Sequence, residues 1–383
     1  MSAQVEFPLL FDRCAGIDVH KESVVVTVKV NELPDQTRTF GTFTEDLISL
    51  KNWLSELRVS HIAMESTGIY WKPVFNILEE HFELMLVNAR HIKYVPGHKT
   101  DCKDSAWIAK LLMSGLLKGS FIPPQQIREM RELYRYKKKL VSQRVAERNR
   151  LQKILEDANL KLGSVVSDVF GKTGWAVICA LINGQTDAAS LASLAKGSLR
   201  KKIPQLISAL NGKLTDHHRF MLETSRLALE NIQQQTDRID RRLDEYISLH
   251  TTEVELLETI PGVSHETVKG IVAEIGFDMS IFPTANHLAS WAGVCPGNNE
   301  SAGKKKSSRV TQGNKFLKTA LVEAAWSASK MKKGWLRNKY YALAARRGKK
   351  RALMAIAHKI LVAVYHVLNS LSPFREPVLR IAS

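Results

Sequence analysis

The sequence predicts an α/β domain over residues 1–124, a long helical region over 125–250 and a mostly α-helical region over 251–383. Short valine-rich segments alternate with amphipathic ones in the first third, which is typical of an α/β layer. Two long segments follow, with apolar residues at helical or heptad spacing. Helical periods then continue beyond a Pro-Gly turn. At 383 residues, the chain is long enough for two or three domains with cores of their own.

The first region alternates strands and helices. Residues 14–30 are rich in valine, which is typical of a strand, and Pro34 interrupts this strand-like pattern. Pro73 stands where a helix would begin, and Thr100 or Asp101 can cap the last helix. Strands are expected at 14–30, 36–43, 61–65 and 84–87, and helices at 45–57, 73–78 and 101–116. This order is similar to the α/β layer of ribonuclease-H-like nucleases.

The charge balance favours a polyanionic partner. Lys and Arg exceed Asp and Glu by 55 − 38, a net charge of +17, so nucleic acid would bind with counterion release. The four cysteines are far apart and lack paired metal-ligand spacing, so we expect reduced thiols. We also expect no bilayer-spanning segment, no contact with a membrane and no signal pattern at the N-terminus, hence a cytoplasmic protein.

Four acidic side chains are expected at one end of the predicted sheet. Asp18 and Glu65 stand at strand ends, and Asp101 and Asp104 share one face on the first turn of a helix. Carboxylates that converge repel one another, and a divalent metal such as Mg²⁺ or Mn²⁺ offsets that repulsion. In a basic protein this pattern favours metal-dependent phosphodiester chemistry. For Asp101 and Asp104, helix capping and interaction with the helix dipole are the alternative.

Two long helices are expected in the second region. The first, about 126–162, carries eleven Lys or Arg residues against few acids, and the second, around 222–246, has heptad spacing. An antiparallel coiled-coil insertion, or a helical pair that mates with another subunit, fits both. We assign part of the basic face to nucleic-acid binding and expect its neutralisation to affect folding little; ordinary solvation is the alternative. The assigned residues are Arg135, Lys137, Lys138 and Lys139.

The third region contains a tight turn and a polar loop. The turn at Gly262 can point backbone N–H groups at a phosphate, or simply form a corner between two helices. The loop over 296–309 is too polar for a core and carries Ser301 together with basic side chains. We assign those basic side chains to nucleic-acid binding, and they are Lys304, Lys305, Lys306 and Arg309.

Taken in order, five motifs resemble the DEDD transposases of the insertion sequence one-ten family over nearly the whole chain. They are Gly-Ile-Asp-Val-His-Lys, Glu-Ser-Thr-Gly, Lys-Thr-Asp-x-x-Asp, Ile-Pro-Gly-Val and Gly-Val-Cys-Pro-Gly-Asn-Asn-Glu-Ser-Ala-Gly-Lys. The resemblance implies an RNase H/RuvC-like N-terminal domain, a long helical coiled-coil insertion and a mostly α-helical C-terminal transposase domain. It further implies metal-binding acids, which match Asp18, Glu65, Asp101 and Asp104.

The resemblance also implies a nucleophilic serine, which matches Ser301. The family often has Ser-Ser-Gly-Gly where this chain has Glu300 to Gly303, so Ser307 and Ser308 are competing candidates. Attack by serine would conserve the phosphodiester energy as a protein–DNA ester, and that ester permits rejoining.

The partners implied are donor and target DNA, a structured bridge RNA that pairs with both, and further copies of the chain. The oligomer would be a dimer or tetramer with composite sites, the acids from one subunit meeting the serine of another. Two other functions stay open from the residues alone. One is a RuvC-type hydrolytic Holliday-junction nuclease, and the other is a non-catalytic nucleic-acid-binding scaffold.

Overall fold

The computed structural model describes residues 9–31, 33–66, 68–88, 101–295, 299–301, 304–307 and 310–377, with backbone alone for 101–103, 299–301 and 304–307. The chain forms two compact units, Met1–Ile122 and Pro123–Ser383. The first boundary falls beside the predicted one at 124. The further division of the second unit at residue 250 stays a prediction.

A mixed five-stranded sheet forms the centre of the first unit, in the order β3-β2-β1-β4-β5. β1 pairs antiparallel with β2, and β2 with β3, whereas β1, β4 and β5 run parallel. The valine-rich stretch forms two strands because the chain reverses where the His20 amide donates to Ser23 O at 2.9 Å. The strands are β1 Arg13–Val19, β2 Val24–Val30, β3 Gln36–Phe40, β4 His61–Glu65 and β5 Glu83–Val87.

Helices cover both faces of this sheet. α1 (Thr44–Glu56) and α2 (Trp71–Leu78) pack on the face that contains Ile17. α3 (Asp101–Met113) packs on the other face, where Ile108 meets Cys14. Because side chains alternate along a strand, Asp18 belongs to the same face of β1 as Cys14, the face that α3 covers.

The second unit is built mainly of helices, within the part of the chain that the structure describes. After a two-stranded hairpin, β6 Asn299–Ser301 and β7 Lys304–Ser307, three helices complete it. Up to the hairpin the helices are α4 Gln125–Asp157, α5 Leu162–Val165, α6 Lys172–Ile182, α7 Ala188–Ser193, a 3₁₀ turn Gly197–Lys202, α8 Ile203–Leu210, α9 Asp216–Ser248, α10 Thr251–Glu258, α11 His265–Ile275 and α12 Ala285–Ala292. The last three are α13 Lys315–Lys330, α14 Trp335–Arg347 and α15 Lys349–Ser370.

The two 33-residue helices α4 and α9 pack side by side and antiparallel. Glu129 near the start of α4 accepts a hydrogen bond from Tyr246 near the end of α9. Asp157 at the end of α4 hydrogen-bonds to His218 near the start of α9. The heptad positions predicted for α9 supply its buried face, namely Leu222, Ser225, Leu229, Thr236, Ile239 and Leu243.

Helix α15 bears on the expectation that the chain has no bilayer-spanning segment. By length and composition it is able to cross a membrane, although half of its most apolar window is buried within the protein. Its buried residues, such as Ile356 and Ile360, belong to the core, and a single helix of this kind is weak evidence for a membrane span. Cys14, Cys179 and Cys295 are free thiols, and the side chain of Cys102 lies outside the described residues.

Candidate active site

Two acidic residues meet where neighbouring parallel strands end. In the register of β1 and β4, Ile17 lies opposite Met64, so the next residues along are Asp18 and Glu65. Residues at matching positions on adjacent strands point to the same face. Asp18 is nearly enclosed, with 12% of its side chain exposed. The predicted placement of these two acids at one end of the sheet agrees with this register.

Close packing of α3 on β1 brings Asp104 to the same place. A Cβ atom on Gly16 would lie 2.2 Å from the carbonyl oxygen of Ser105, so only glycine permits this approach. The Ser105 hydroxyl also shares a 2.8 Å hydrogen bond with Thr27 of β2. The first turn of α3, which contains Asp104, is therefore fixed against the centre of the sheet.

The charges of two further predicted acids, Glu65 and Asp104, act on Asp18. Burial raises the pKa of the Asp18 carboxyl, and the nearby carboxylates of Glu65 and Asp104 raise it too. His20 acts in the opposite direction and lowers the pKa of Asp18, because its Nε2 lies 3.1 Å from Oδ2 of Asp18 and donates a hydrogen bond to it. His20 was not predicted as a site residue, although it stands in the same motif as Asp18. The site concentrates negative charge in a partly dry environment.

Carboxylate oxygens suit hard divalent cations such as Mg²⁺ and Mn²⁺. Among the side chains that the structure describes, however, no three His, Cys, Asp or Glu residues are placed so that they could hold a metal ion together. The side chain of Asp101, the fourth predicted ligand, lies outside that set. The described geometry therefore establishes a cluster of interacting carboxylates, and their coordination of a metal stays a prediction.

The predicted serine belongs to the second unit. Ser301 ends β6 and pairs in register with Lys304 at the start of β7, so part of the expected loop is a hairpin. The side chains of Ser301, Ser307 and Lys304–Lys306, and the whole of Ser308 and Arg309, lie outside the described residues. Their roles stay predictions.

Two glycines bring together the ends of the segment that carries Ser301. Gly293, with φ +71°, ends α12, and a Cβ there would lie 2.5 Å from the Gly313 nitrogen. A Cβ on Gly313 would lie 2.3 Å from the carbonyl carbon of Ala292. Since no other residue fits at either position, the two backbones cross at van der Waals contact and close the base of the segment 294–312.

A buried carboxylate supports the same base. Glu274 of α11 has a fully buried side chain. Its two carboxylate oxygens accept bidentate hydrogen bonds from the guanidinium of Arg135, each at 2.8 Å. Asn314 Nδ2 donates to the same carboxylate at 2.6 Å, while its Oδ1 caps α13. Neither Glu274 nor Asn314 was predicted as a site residue, because the two are 40 residues apart in the sequence.

The basic face of α4 is partly occupied by contacts within the protein. Arg135 binds Glu274, and Lys137, 9% exposed, binds Asp240 and Glu266. Lys138 lies 3.2 Å from Glu323 and Lys139 is exposed. The expectation that all four cations can be neutralised with little effect on folding is therefore revised, because burial of Lys137 and pairing of Arg135 tie them to the core.

Gly262 has a packing role at the predicted Pro-Gly turn. Its φ is +88°, and a Cβ there would lie 2.4 Å from the carbonyl oxygen of Ala324 and 2.7 Å from Ala328 of α13. The amide of Val263 donates to Ile260 O within the turn. These contacts fit a corner between α10 and α11, and phosphate binding at Gly262 stays a prediction.

The mixed sheet order, with acids where β1 and β4 end, is consistent with a ribonuclease-H-like domain in the first unit. Comparison with known families agrees. The model of the DEDD transposases of the IS110 family matches residues 15–159, and the model described as "Transposase IS116/IS110/IS902 family" matches 254–341. The chain therefore carries two transposase domains of the IS110 family, and these domains make it a DNA-processing enzyme.

Individual relatives support this assignment. The chain is 21% identical to the transposase for insertion sequence element IS1111A of Coxiella burnetii over 335 residues, which is 84% of this chain and 81% of that protein. It is 35% identical to the pilin gene-inverting proteins of Moraxella bovis and Moraxella lacunata over 127 residues, 32% of this chain and 39% of each of those proteins.

Proposed function

We propose that this protein cleaves, exchanges and rejoins DNA strands through a serine nucleophile assisted by divalent metal, guided by a structured bridge RNA. The observation that carries the proposal is the placement of Asp18 beside Glu65 where two parallel strands end, with Asp18 largely buried and Asp104 near enough to raise its pKa. A purely structural acid pair would not need the dry, mutually repelling arrangement that raises the pKa of Asp18.

The residues present fit a metal centre by their chemistry. Asp18, Glu65 and Asp104 supply hard oxygen donors, and Asp101, on the same turn as Asp104, would complete the set. When bound, a divalent cation supplies Lewis-acid charge that stabilises the negative charge developing on the phosphate oxygens. His20 holds Oδ2 of Asp18 and thereby orients this carboxylate.

Ser301 would form the covalent link to DNA. Its Oγ attacks the scissile phosphorus, the bond from phosphorus to a deoxyribose oxygen breaks, and the serine proton ends on that oxygen as a free hydroxyl. Reversal by the hydroxyl of another strand frees the serine and joins the new strand. No outside energy is needed, because one phosphodiester replaces another at each step.

Further copies of the chain and two nucleic acids complete the proposal. We assign the composite site, with acids from one subunit and serine from another, to a homodimer or tetramer. The antiparallel pair α4–α9 is our candidate for a coiled-coil insertion that mates with another subunit. Donor and target DNA would pair with the bridge RNA, and the net charge of +17 fits such polyanionic partners. Cytoplasmic localisation follows from that function.

The decisive experiment measures recombination in cells with an element-encoded substrate. Asp18→Asn and Glu65→Gln should each abolish it, whereas the exposed acids give matched controls, Asp12→Asn and Glu56→Gln, that should retain it. Ser301→Ala should bind nucleic acid but form no covalent DNA adduct when the reaction is trapped and mapped by mass spectrometry.

Other results would redirect the proposal. An adduct on Ser307 or Ser308 would move the nucleophile. Full cutting by Ser301→Ala would favour the hydrolytic nuclease. Normal recombination by folded Asp18→Asn and Glu65→Gln proteins would leave the acids a structural role and favour the scaffold.

A further inference from the structure

Most of the net charge comes from one stretch near the end of the chain. Residues 324–375 contain twelve Lys or Arg and no Asp or Glu, against a net charge of +17 for the whole protein. The helix α4 differs, because several of its cations bind acids of the second unit. Among the described residues, no cation of α14 or α15 forms an ion pair. The cations of these two helices therefore have no acidic partner within the part of the chain that the structure describes.

The cations concentrate where α14 turns into α15. Gly348, with φ +80°, joins the two helices, and Arg346 and Arg347 precede it while Lys349, Lys350 and Arg351 follow. All five basic residues are exposed. The first turn of α15 has no side-chain cap, and cations at a helix N-terminus are disfavoured by the helix dipole. An anion bound at this corner would relieve that repulsion.

A cavity of about 470 Å³ lies beside the corner. Its apolar wall comprises Val294, Val310, Leu343, Met354 and Ala355, and its size is in the roughly 300–1,000 Å³ range of small-molecule sites. Aliphatic side chains and a polarisable thioether make favourable contacts with a flat aromatic ring. This wall can therefore take up the face of a nucleobase.

Charged and polar groups border the same cavity. Arg347, Arg351 and Lys359 supply positive charge for phosphates. His358 also lines the cavity, and burial lowers its pKa, followed by the charge of Lys359. A neutral imidazole has one donor and one acceptor, which suits the edge of a base.

The position of the cavity links it to the proposed nucleophile. Val294 and Val310 flank the segment that contains Ser301, and Gly293 and Gly313 fix the ends of that segment. We propose that this cavity binds one unpaired nucleotide of the nucleic-acid partner, with its base on the apolar wall and its flanking phosphates on Arg347 and Arg351. The inference rests on the proposed function only in taking nucleic acid as the partner.

The test uses full-length protein and oligonucleotide duplexes with one unpaired 2-aminopurine, made in a DNA and an RNA version. The wild-type protein should change the 2-aminopurine emission in at least one version, because the base leaves its stacked neighbours. The version that responds identifies the nucleic acid bound. Ala355→Leu fills the cavity without changing charge and should remove the emission change and weaken binding about tenfold.

Charge variants separate the cavity from the surface around it. Arg347→Gln with Arg351→Gln should remove the emission change, and Arg346→Gln with Lys350→Gln, matched in charge but outside the cavity, should retain it. With the duplex DNA probe, both pairs should reduce the slope of log affinity against log salt, by about 0.9 for each lost phosphate contact.

Thermal melting checks that each variant is folded. A second variant, Leu343→Ala, enlarges the cavity instead of filling it and should also diminish the emission change. The proposal is overturned if wild-type protein leaves the emission unchanged in both versions, if Ala355→Leu and Leu343→Ala behave as wild type, or if the control pair loses as much signal as the cavity pair. Because binding alone is measured, a failure here is distinct from a failure of recombination.

Discussion

Asn314 makes two kinds of contact with one side chain: its Oδ1 accepts from the amides of Phe316 and Leu317, and its Nδ2 donates to Glu274 at 2.6 Å. The cap fixes where α13 begins, and the second bond ties that point to a carboxylate held by Arg135. Since α13 follows the segment that carries Ser301, this pair fixes one end of the segment.

Replacing Asn314 tests the second bond separately from the cap. Asp and Ser both cap helices well, but Asn314→Asp sets a second carboxylate against buried Glu274, whereas Asn314→Ser only removes the donor. We expect Asn314→Asp to lower the free energy of unfolding by about 1–3 kcal/mol and Asn314→Ser by less. The double variant Asn314→Asp with Glu274→Gln reverses the polarity of the bond and should recover much of the loss in chemical denaturation. Equal stability of the two single variants would contradict the role of Glu274.

Gly16→Ala tests the approach of α3 to β1. The added methyl would sit 2.2 Å from Ser105 O, so the helix must move away, at a cost of about 1–3 kcal/mol. That shift would draw Asp104 away from Asp18, and recombination should fall more steeply than stability. Gly163→Ala is the control, because its methyl would meet Val169 at an ordinary 3.6 Å. Recombination at the wild-type level in a folded Gly16→Ala protein would argue against this arrangement.

The raised pKa of Asp18 predicts a pH-dependent stability. Between the ordinary pKa of aspartate, about 3.9, and the higher folded-state pKa, the folded protein binds more protons than the unfolded chain, so stability falls as pH rises through that window. Asp18→Asn removes this loss. Without divalent metal, the variant should melt at a higher temperature than wild type at pH 7, and the difference should shrink as the pH approaches 4. A variant less stable than wild type at pH 7 would contradict the burial and repulsion at this site.

Lys137 and Lys139 should differ although they are two residues apart. Lys137→Ala removes the cation that Asp240 and Glu266 share, although Lys269 still lies 3.8 Å from Asp240, and should cost about 1–3 kcal/mol of stability. Lys139→Ala changes an exposed position and should stay within about 0.5 kcal/mol. If Lys139 contacts a phosphate, its loss should reduce the salt slope of DNA binding by about 0.9. Denaturant titration and binding at several salt concentrations measure the two effects independently.

Local patterns predicted much of this fold. Alternating and helical periods located several strands and helices to within a few residues, as with His61–Glu65, although 14–30 forms two strands, and the heptads predicted most of the buried face of α9. The meeting of Asp18 and Glu65 was accessible too, because both stand at the ends of strands expected in one sheet.

Contacts between residues far apart in the sequence could not be predicted from local patterns. Gly16 and Ser105 are 89 positions apart, and Arg135 is 139 from Glu274. Neither contact produces a periodic pattern in the sequence. The prediction that Arg135 contacts nucleic acid therefore depended on its charge alone. The identity of a cation's partner depends on packing, which a single sequence does not display.

The crossing of Gly293 and Gly313 has an evolutionary consequence. Because the rest of the unit already fixes both ends of 294–312, the content and length of that segment can change at small thermodynamic cost; doubling a flexible loop costs only about 0.6 kcal/mol. Relatives can therefore vary the residues presented to nucleic acid while retaining one helical frame. Grafting the corresponding segment between two such glycines is a direct way to exchange specificity.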